Sequence, residues 1–311
     1  MPITTSPKIA WCCPTIDATP WAKALALRLP NAKMDIWPNC TTEADYAITW
    51  APTQAFFDSQ PKLKAVFALG AGMDALLGLN IPTNVNLVRI EDGGIGAQMA
   101  DYVTYALLRH VRRFDVYEQE IRAGCWAQHP AQEHKDFPVG VLGLGELGSQ
   151  MALRVRDLGF PVAGWSRTAR SLSGIECFSG EQLNAFLARS RVLICALPLT
   201  AQTQDILNEA NLKQLQTGAF IINVARGAHL VEADLLKLLD SGHITGACID
   251  VLRKEPAPAD HPFRHHPRIT LTPHISAMTL LEPSMEQISQ KIRALLAGEA
   301  ISGIVDRARG Y

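Results

Sequence analysis

The stretch VGVLGLGELG, Val139 to Gly148, constrains this chain more than any other. An apolar run of strand character leads into Gly143, Gly145 and Gly148, and the amphipathic run SQMALRVRDLG follows at once. A G-x-G-x-x-G turn between a strand and a helix permits a tight reversal and lets a pyrophosphate approach backbone N–H groups at the helix N-terminus. Outside that context three such glycines mean little. Here Gly143, Gly145, Glu146, Leu147 and Gly148 are expected to cradle a dinucleotide. Glu146 is the awkward member, because a carboxylate beside a pyrophosphate repels it unless it points to solvent.

The surrounding pattern fits. From Phe137, the runs FPVGVLGLG, PVAGWS, RVLICALP, GAFIINVA, ITGACIDVL and RITLTPH give six strand candidates, the number in a complete dinucleotide-binding sheet. The first third also alternates strand and helix patterns: KIAWCCP, WAKALALRLPNA, ADYAITWAP and LKAVFALGAGMDALL read as βαβα in an open parallel sheet. Between the two regions, apolar residues at 103, 106, 107, 111 and 114 predict one long helix from Met99 to Gly124 that bridges two domains. Helical spacing returns from Pro283 to Leu296, and the terminal GIVDRARGY is expected to rejoin the first domain. A length of 311 residues suits two domains.

Composition excludes several classes. A formal net charge of −1 provides no basic field for nucleic acid and no block of lysine and arginine for a membrane surface. No apolar run approaches the ~18 residues of a membrane span, and prolines interrupt the first twenty residues before a signal peptide could develop. The seven cysteines (12, 13, 40, 125, 177, 195 and 248) are scattered and include no C-x-x-C pair. Reduced thiols in a cytoplasmic protein are expected, with no zinc site. The neighbours His265 and His266 lack metal-ligand spacing and read as solvated.

The stretch VAGWSRTAR, Val162 to Arg170, then sets the dinucleotide. The carboxylate that grips an adenosine ribose is expected about 20 residues after the glycine turn, where this chain has Ser166. Ser166 removes the repulsion of a 2′-phosphate, while Arg167 and Arg170 offer cations and Thr168 a hydroxyl donor. The pocket is therefore expected to prefer NADPH, with NADH weaker.

Three unlike groups follow strand ends downstream: Arg226 in INVARG, Glu255 in DVLRKEP and His274 in TPHISAMT. Each alone has an ordinary reading, as a surface arginine, a solvated loop glutamate and a structural histidine. Together they lie where an open α/β sheet places its ligand crevice. Reduction of a 2-keto acid needs a proton for the carbonyl oxygen and a grip on the carboxylate. Histidine suits the first, a neighbouring carboxylate favours its charged form, and a forked, always charged arginine suits the second.

GLGELG, LPLTAQT, NVARG, DVLRKEP and PHISAMT, in this order and spacing, resemble the NAD(P)-dependent D-2-hydroxyacid dehydrogenases over nearly the whole chain. FALGAGMD, GFPVAGWSRT and VDRARGY resemble its glyoxylate/hydroxypyruvate reductase A branch more narrowly. The resemblance implies two doubly wound parallel sheets. A Rossmann-type cofactor domain over residues 98–282 is inserted into a flavodoxin-like substrate domain formed by residues 1–97 and 283–311, with a cleft between them and a homodimer built on the cofactor domains. It also implies that Arg226 holds the substrate carboxylate, His274 donates the proton and Glu255 partners it. Backbone N–H groups around Ala71 and Gly72 clamp the carboxylate, Asp250 lies near the nicotinamide carboxamide, and Leu197, Pro198 and Ala225 line the cofactor. Trp50 and Trp126 are candidates for closing the pocket, Trp126 from a partner subunit. The expected activity is NADPH-dependent reduction of glyoxylate or hydroxypyruvate to the D-2-hydroxy acid. The alternatives are a sibling acting on D-lactate or phosphoglycerate, and a non-catalytic dinucleotide sensor of the co-repressor kind, because fold alone does not fix function. Formate oxidation is disfavoured, since that branch carries Gln where this chain has Glu255.

Overall fold

The computed structural model describes residues 6–310. The chain divides into two compact units, one holding the chain up to Gly94 and from Thr279 onward, the other Ile95–Met278. No helix among the described residues is long and apolar enough to cross a membrane, and all seven cysteines are free.

The first unit is a five-stranded sheet of β1 (Lys8–Cys12), β2 (Lys33–Ile36), β3 (Tyr46–Thr49), β4 (Ala65–Ala68) and β5 (Asn86–Val88), with α1 (Ala18–Arg28), α2 (Gln54–Asp58), α3 (Asp74–Leu77) and a C-terminal helix (Leu281–Leu296). The strands run parallel in the order β2-β1-β3-β4-β5, the flavodoxin-like order. β3 and β4 are buried along their whole length, as strands covered on both faces should be. The C-terminal helix is tied to α1 by Arg28, which meets Glu282 at 2.6 Å and Glu286 at 3.0 Å. Beyond it the chain returns to β5, with Val305 N donating to Leu87 O at 2.9 Å. Arg307 donates to the carbonyls of Ile81, Pro82 and Val85.

The second unit contains α4 (Ile95–Val111), α5 (Phe114–Arg122), β6 (Val139–Leu142), α6 (Glu146–Asp157), β7 (Val162–Ser166), β8 (Glu176–Ser179), α7 (Leu183–Arg189), β9 (Val192–Cys195), α8 (Glu209–Leu212), β10 (Ala219–Asn223), α9 (Glu232–Asp240), β11 (Ile244–Ile249) and β12 (Ile269–Leu271). Its strands are parallel in the order β12-β11-β10-β9-β6-β7-β8. From β6 the chain builds outward through β7 and β8, then returns to β9 on the other side of β6. That reversal is the switch point at which dinucleotide folds bind their ligand. Helix α4 packs along α6. Near its end His110 stacks on Phe220 of β10, ring centroids 4.1 Å apart and planes 15° from parallel.

Two expectations need correction. The single helix from Met99 to Gly124 is two helices, because Arg113 turns into the left-handed region at φ 55 between them. The apolar stripe of α4 is buried at Val103, Ala106, Leu107 and Val111, whereas α5 has no buried residue, so the periodicity runs through a break that no Gly or Pro announces. The cofactor sheet has seven strands rather than six. The additional strand, β8, is an edge with no fully buried residue, and the same holds for β2 in the first sheet. An edge strand pairs on one side only, so it leaves a weak apolar signature.

Candidate active site

The three glycines of the turn after β6 have separate physical reasons. Gly143 has φ +112, and a Cβ there would meet the Ala196 carbonyl at 2.8 Å. A Cβ at Gly148 would lie 1.8 Å from Gly143 O, so only glycine lets α6 close on the turn. At Gly145, the N-cap of α6, a Cβ would meet nothing within 4 Å. That open space lies at the N-terminus of a twelve-residue helix, the kind of position where unsatisfied N–H groups and the helix dipole suit a phosphate. Glu146 is exposed and accepts from Gln150 Nε2 at 3.3 Å along the helix surface. Leu147 is half-buried beside it. These residues therefore fit a dinucleotide.

At the end of β7, Ser166 Oγ donates to Thr168 O at 2.8 Å, which folds the backbone back on itself. Arg167, Thr168 and Arg170 are exposed. Among the described residues Val162 to Arg170 there is no carboxylate.

The catalytic candidates leave three adjacent strands, β10, β11 and β12, at their carboxyl ends. Arg226 follows β10, half-buried, with Nη1 donating to Ala225 O at 2.8 Å. Its neighbour Gly227 is obligatory, since a Cβ there would lie 1.9 Å from the Leu252 carbonyl carbon. The turn carrying Arg226 thus rests directly on the loop carrying Glu255. Within that loop Leu252 N donates to Glu255 Oε1 at 2.8 Å, and the other oxygen, Oε2, lies 2.8 Å from His274 Nδ1. Both partners are partly exposed, at 39% for His274 and 37% for Glu255. His274 itself has φ 57, a left-handed conformation uncommon outside glycine.

Asp250, after β11 and only 1% exposed, explains how that conformation is held. Its Oδ1 accepts from Ile275 N at 2.8 Å and from Thr272 Oγ1 at 2.6 Å, and its Oδ2 accepts from Ser276 N at 2.8 Å. His274 N in turn donates to Asp250 O at 2.9 Å. One buried carboxylate thus clamps the histidine loop from both sides.

His229 is a residue that the sequence reading missed. Fully buried, it places Nε2 3.3 Å from Pro198 O and Nδ1 3.2 Å from Arg226 N. With its proton on Nε2 the ring donates to the Leu197–Pro198 loop and accepts from Arg226, so it fastens the expected cofactor loop to the expected substrate arginine. Its position three residues after Arg226 was the available signal, but a lone histidine is ordinarily structural. In the first unit, the Trp50 ring lies over Gly70, where an added Cβ would come within 2.8 Å of the indole. Ala71 and Gly72 occupy the loop between β4 and α3, with Gly72 exposed. Trp126 is 90% exposed, beyond α5.

Residues 104–276 match the family described as D-isomer specific 2-hydroxyacid dehydrogenase, NAD binding domain. A glyoxylate/hydroxypyruvate reductase A from Yersinia enterocolitica is 43% identical over 306 residues, covering 96% of this chain and 98% of the relative. Among solved structures, a D-isomer specific 2-hydroxyacid dehydrogenase from Xanthobacter autotrophicus in complex with NADPH and MES is 36% identical, with a TM-score of 0.94 over 99% of this chain and 100% of that one. An NADPH-dependent glyoxylate/hydroxypyruvate reductase from Sinorhizobium meliloti, solved with NADP and sulfate, is 31% identical, with a TM-score of 0.93 over the same shares.

Proposed function

The chain belongs to the D-isomer specific 2-hydroxyacid dehydrogenases, and from that premise we propose that it uses NADPH to reduce glyoxylate and hydroxypyruvate to glycolate and D-glycerate. The observation that carries this reading is the 2.8 Å pair of His274 Nδ1 and Glu255 Oε2, placed beside Arg226 on the carboxyl edge of the cofactor sheet.

NADPH, when bound, supplies the hydride for the substrate carbonyl carbon. Glu255 accepts from Nδ1–H, which leaves Nε2 of His274 as the nitrogen that delivers a proton to the carbonyl oxygen. The Glu255 carboxylate fixes the ring orientation that this delivery needs, and Leu252 N–H keeps that carboxylate aimed. Arg226 grips the substrate carboxylate and polarises the carbonyl with its forked guanidinium. In the first unit, the backbone around Ala71 and Gly72 and the Trp50 ring are assigned to substrate binding on the family resemblance. Leu197, Pro198, Ala225 and Asp250 border the cofactor. Ser166, Arg167, Thr168 and Arg170 accept the 2′-phosphate, so NADPH is preferred to NADH.

The protein is proposed to be a cytoplasmic homodimer. Tyr105, Phe114, Ile121 and Trp126 are large apolar residues exposed on and after α4 and α5, a surface that a second copy would cover. Trp126 would then reach the partner's substrate.

The direct test follows nicotinamide absorbance with NADPH and with NADH against glyoxylate, hydroxypyruvate, pyruvate and phosphohydroxypyruvate. Turnover of the two short acids, faster with NADPH, is expected. Cofactor binding without turnover of any keto acid would replace this reading with that of a dinucleotide sensor.

A further inference from the structure

The clamp on the histidine loop does not end at Asp250. Thr272 Oγ1, which donates to Asp250 Oδ1 at 2.6 Å, lies 2.5 Å from the hydroxyl of Tyr102 on α4, and that hydroxyl lies 3.3 Å from Cys248 Sγ. Counting hydrogens orders the chain. A carboxylate has no proton to give, so the single hydroxyl hydrogen of Thr272 points at Asp250. The Thr272 oxygen must therefore accept from Tyr102, whose one hydrogen is then used, and Cys248 S–H faces the tyrosine oxygen as donor. Burial raises Cys248 to about 11 and pushes the Tyr102 phenol above its ordinary range, so both keep the hydrogens this order requires.

We propose that Tyr102 is a positioning residue for the proton donor: through Thr272 it fixes the Asp250 carboxylate, and through Asp250 the left-handed backbone at His274. The inference rests on the reading of His274 given above, but its physical content concerns the loop alone. Thr272 Oγ1 before the residue at φ 57, and Ile275 N and Ser276 N after it, all donate to Asp250. A carboxylate free to rotate would release two of the bonds that hold the loop in an unusual conformation. In this role Tyr102 acts without touching a ligand. It acts by making one Thr272 rotamer the only one that satisfies both neighbours.

The experiment uses the full chain and the variants Tyr102→Phe, Thr272→Val, Thr272→Ser and the Tyr102→Phe/Thr272→Val double variant. Amide exchange across residues 272–276 is measured without ligand, and kcat and KM are measured with NADPH and glyoxylate. Tyr102→Phe and Thr272→Val are each expected to speed exchange and lower kcat by about tenfold, the factor that one neutral hydrogen bond is worth, with KM within about twofold. Thr272→Ser keeps the hydroxyl and should retain most of the rate. The double variant should be no worse than the poorer single one, because both remove the same constraint. Parental exchange and kcat in Tyr102→Phe, or losses that add in the double variant, would overturn the proposal. Should Tyr102→Phe fail to fold, Tyr102→Met, which fills apolar space without a hydroxyl, is read in its place by the same two measurements. A parental protein that reduces no keto acid, but whose loop exchanges faster in the variants, would refute the reductase reading and support the positioning claim.

Discussion

The carboxyl ends of β10 to β12 and the carboxyl end of β7 belong to one sheet, and they are built in opposite ways. At the first, His274, Glu255 and Arg226 are reached through side chains and backbone groups that hold one another: Asp250 takes three donors, Glu255 two partners, and Gly227 presses one loop against the next. At the second, exposed residues follow a strand end that Ser166 turns with a hydrogen bond to Thr168. Proton delivery fails when groups are misplaced by an ångström, whereas attraction between an arginine and a phosphate falls off slowly with distance. On the proposed roles, rigidity is thus placed where chemistry requires position, and an exposed loop suffices where only charge has to be read.

The sharpest test of this contrast removes the groups at the rigid end. His274→Ala and Arg226→Ala are each expected to lower kcat/KM by roughly 10²–10⁴-fold while keeping the circular dichroism spectrum and NADPH binding. Parental rates in either variant would end its catalytic assignment. Glu255→Gln, which keeps shape but removes the charge at the 2.8 Å contact with His274 Nδ1, should lower kcat with NADPH binding unchanged, and a parental kcat would end that pairing.

At the other end, the Ser166→Asp/Arg167→Ala variant restores a repelling carboxylate and removes a fork. Its NADPH/NADH ratio of kcat/KM should fall by about ten- to a hundred-fold, with KM for glyoxylate nearly unchanged. An unchanged ratio would mean that the β7 loop does not read the 2′-phosphate. A large rise in the keto-acid KM would mean that the two ends are not independent.

Much of this was legible in the residue string, for identifiable reasons. VGVLGLGELG could be placed because its glycines are demanded by backbone contacts, such as that of Gly148 with Gly143 O, which leave no alternative residue. Ser166 could be placed because it is a substitution in a known register. Arg226, Glu255 and His274 were visible as strand-end residues, but their arrangement was not: the 2.8 Å pair depends on a loop conformation set by Asp250. Tyr102 and Thr272 are separated by 170 positions and carry no motif. Contacts of that kind are decided by how α4 lies on the sheet. The break at Arg113 was hidden because the apolar period continues through it to Phe114.

The stack of His110 on Phe220 has a consequence for acid tolerance. Burial holds this imidazole down at about 4, with Asp115 opposing and Arg191 adding to the shift. The folded protein therefore leaves His110 neutral over a range in which an unfolded chain, titrating near 6.5, takes up a proton. Above that value the residue contributes no pH dependence. As pH falls from about 6.5 towards 4 the unfolded state binds more protons, and stability drains away by about 2 kcal/mol at pH 5. His110→Phe keeps the aromatic contact and cannot be protonated, so its urea midpoint should fall less than the parental one between pH 7.5 and pH 5. Equal falls would show that the ring is protonated where it stands. The same packing that seats α4 on its sheet thus makes mild acid a selective solvent for this fold.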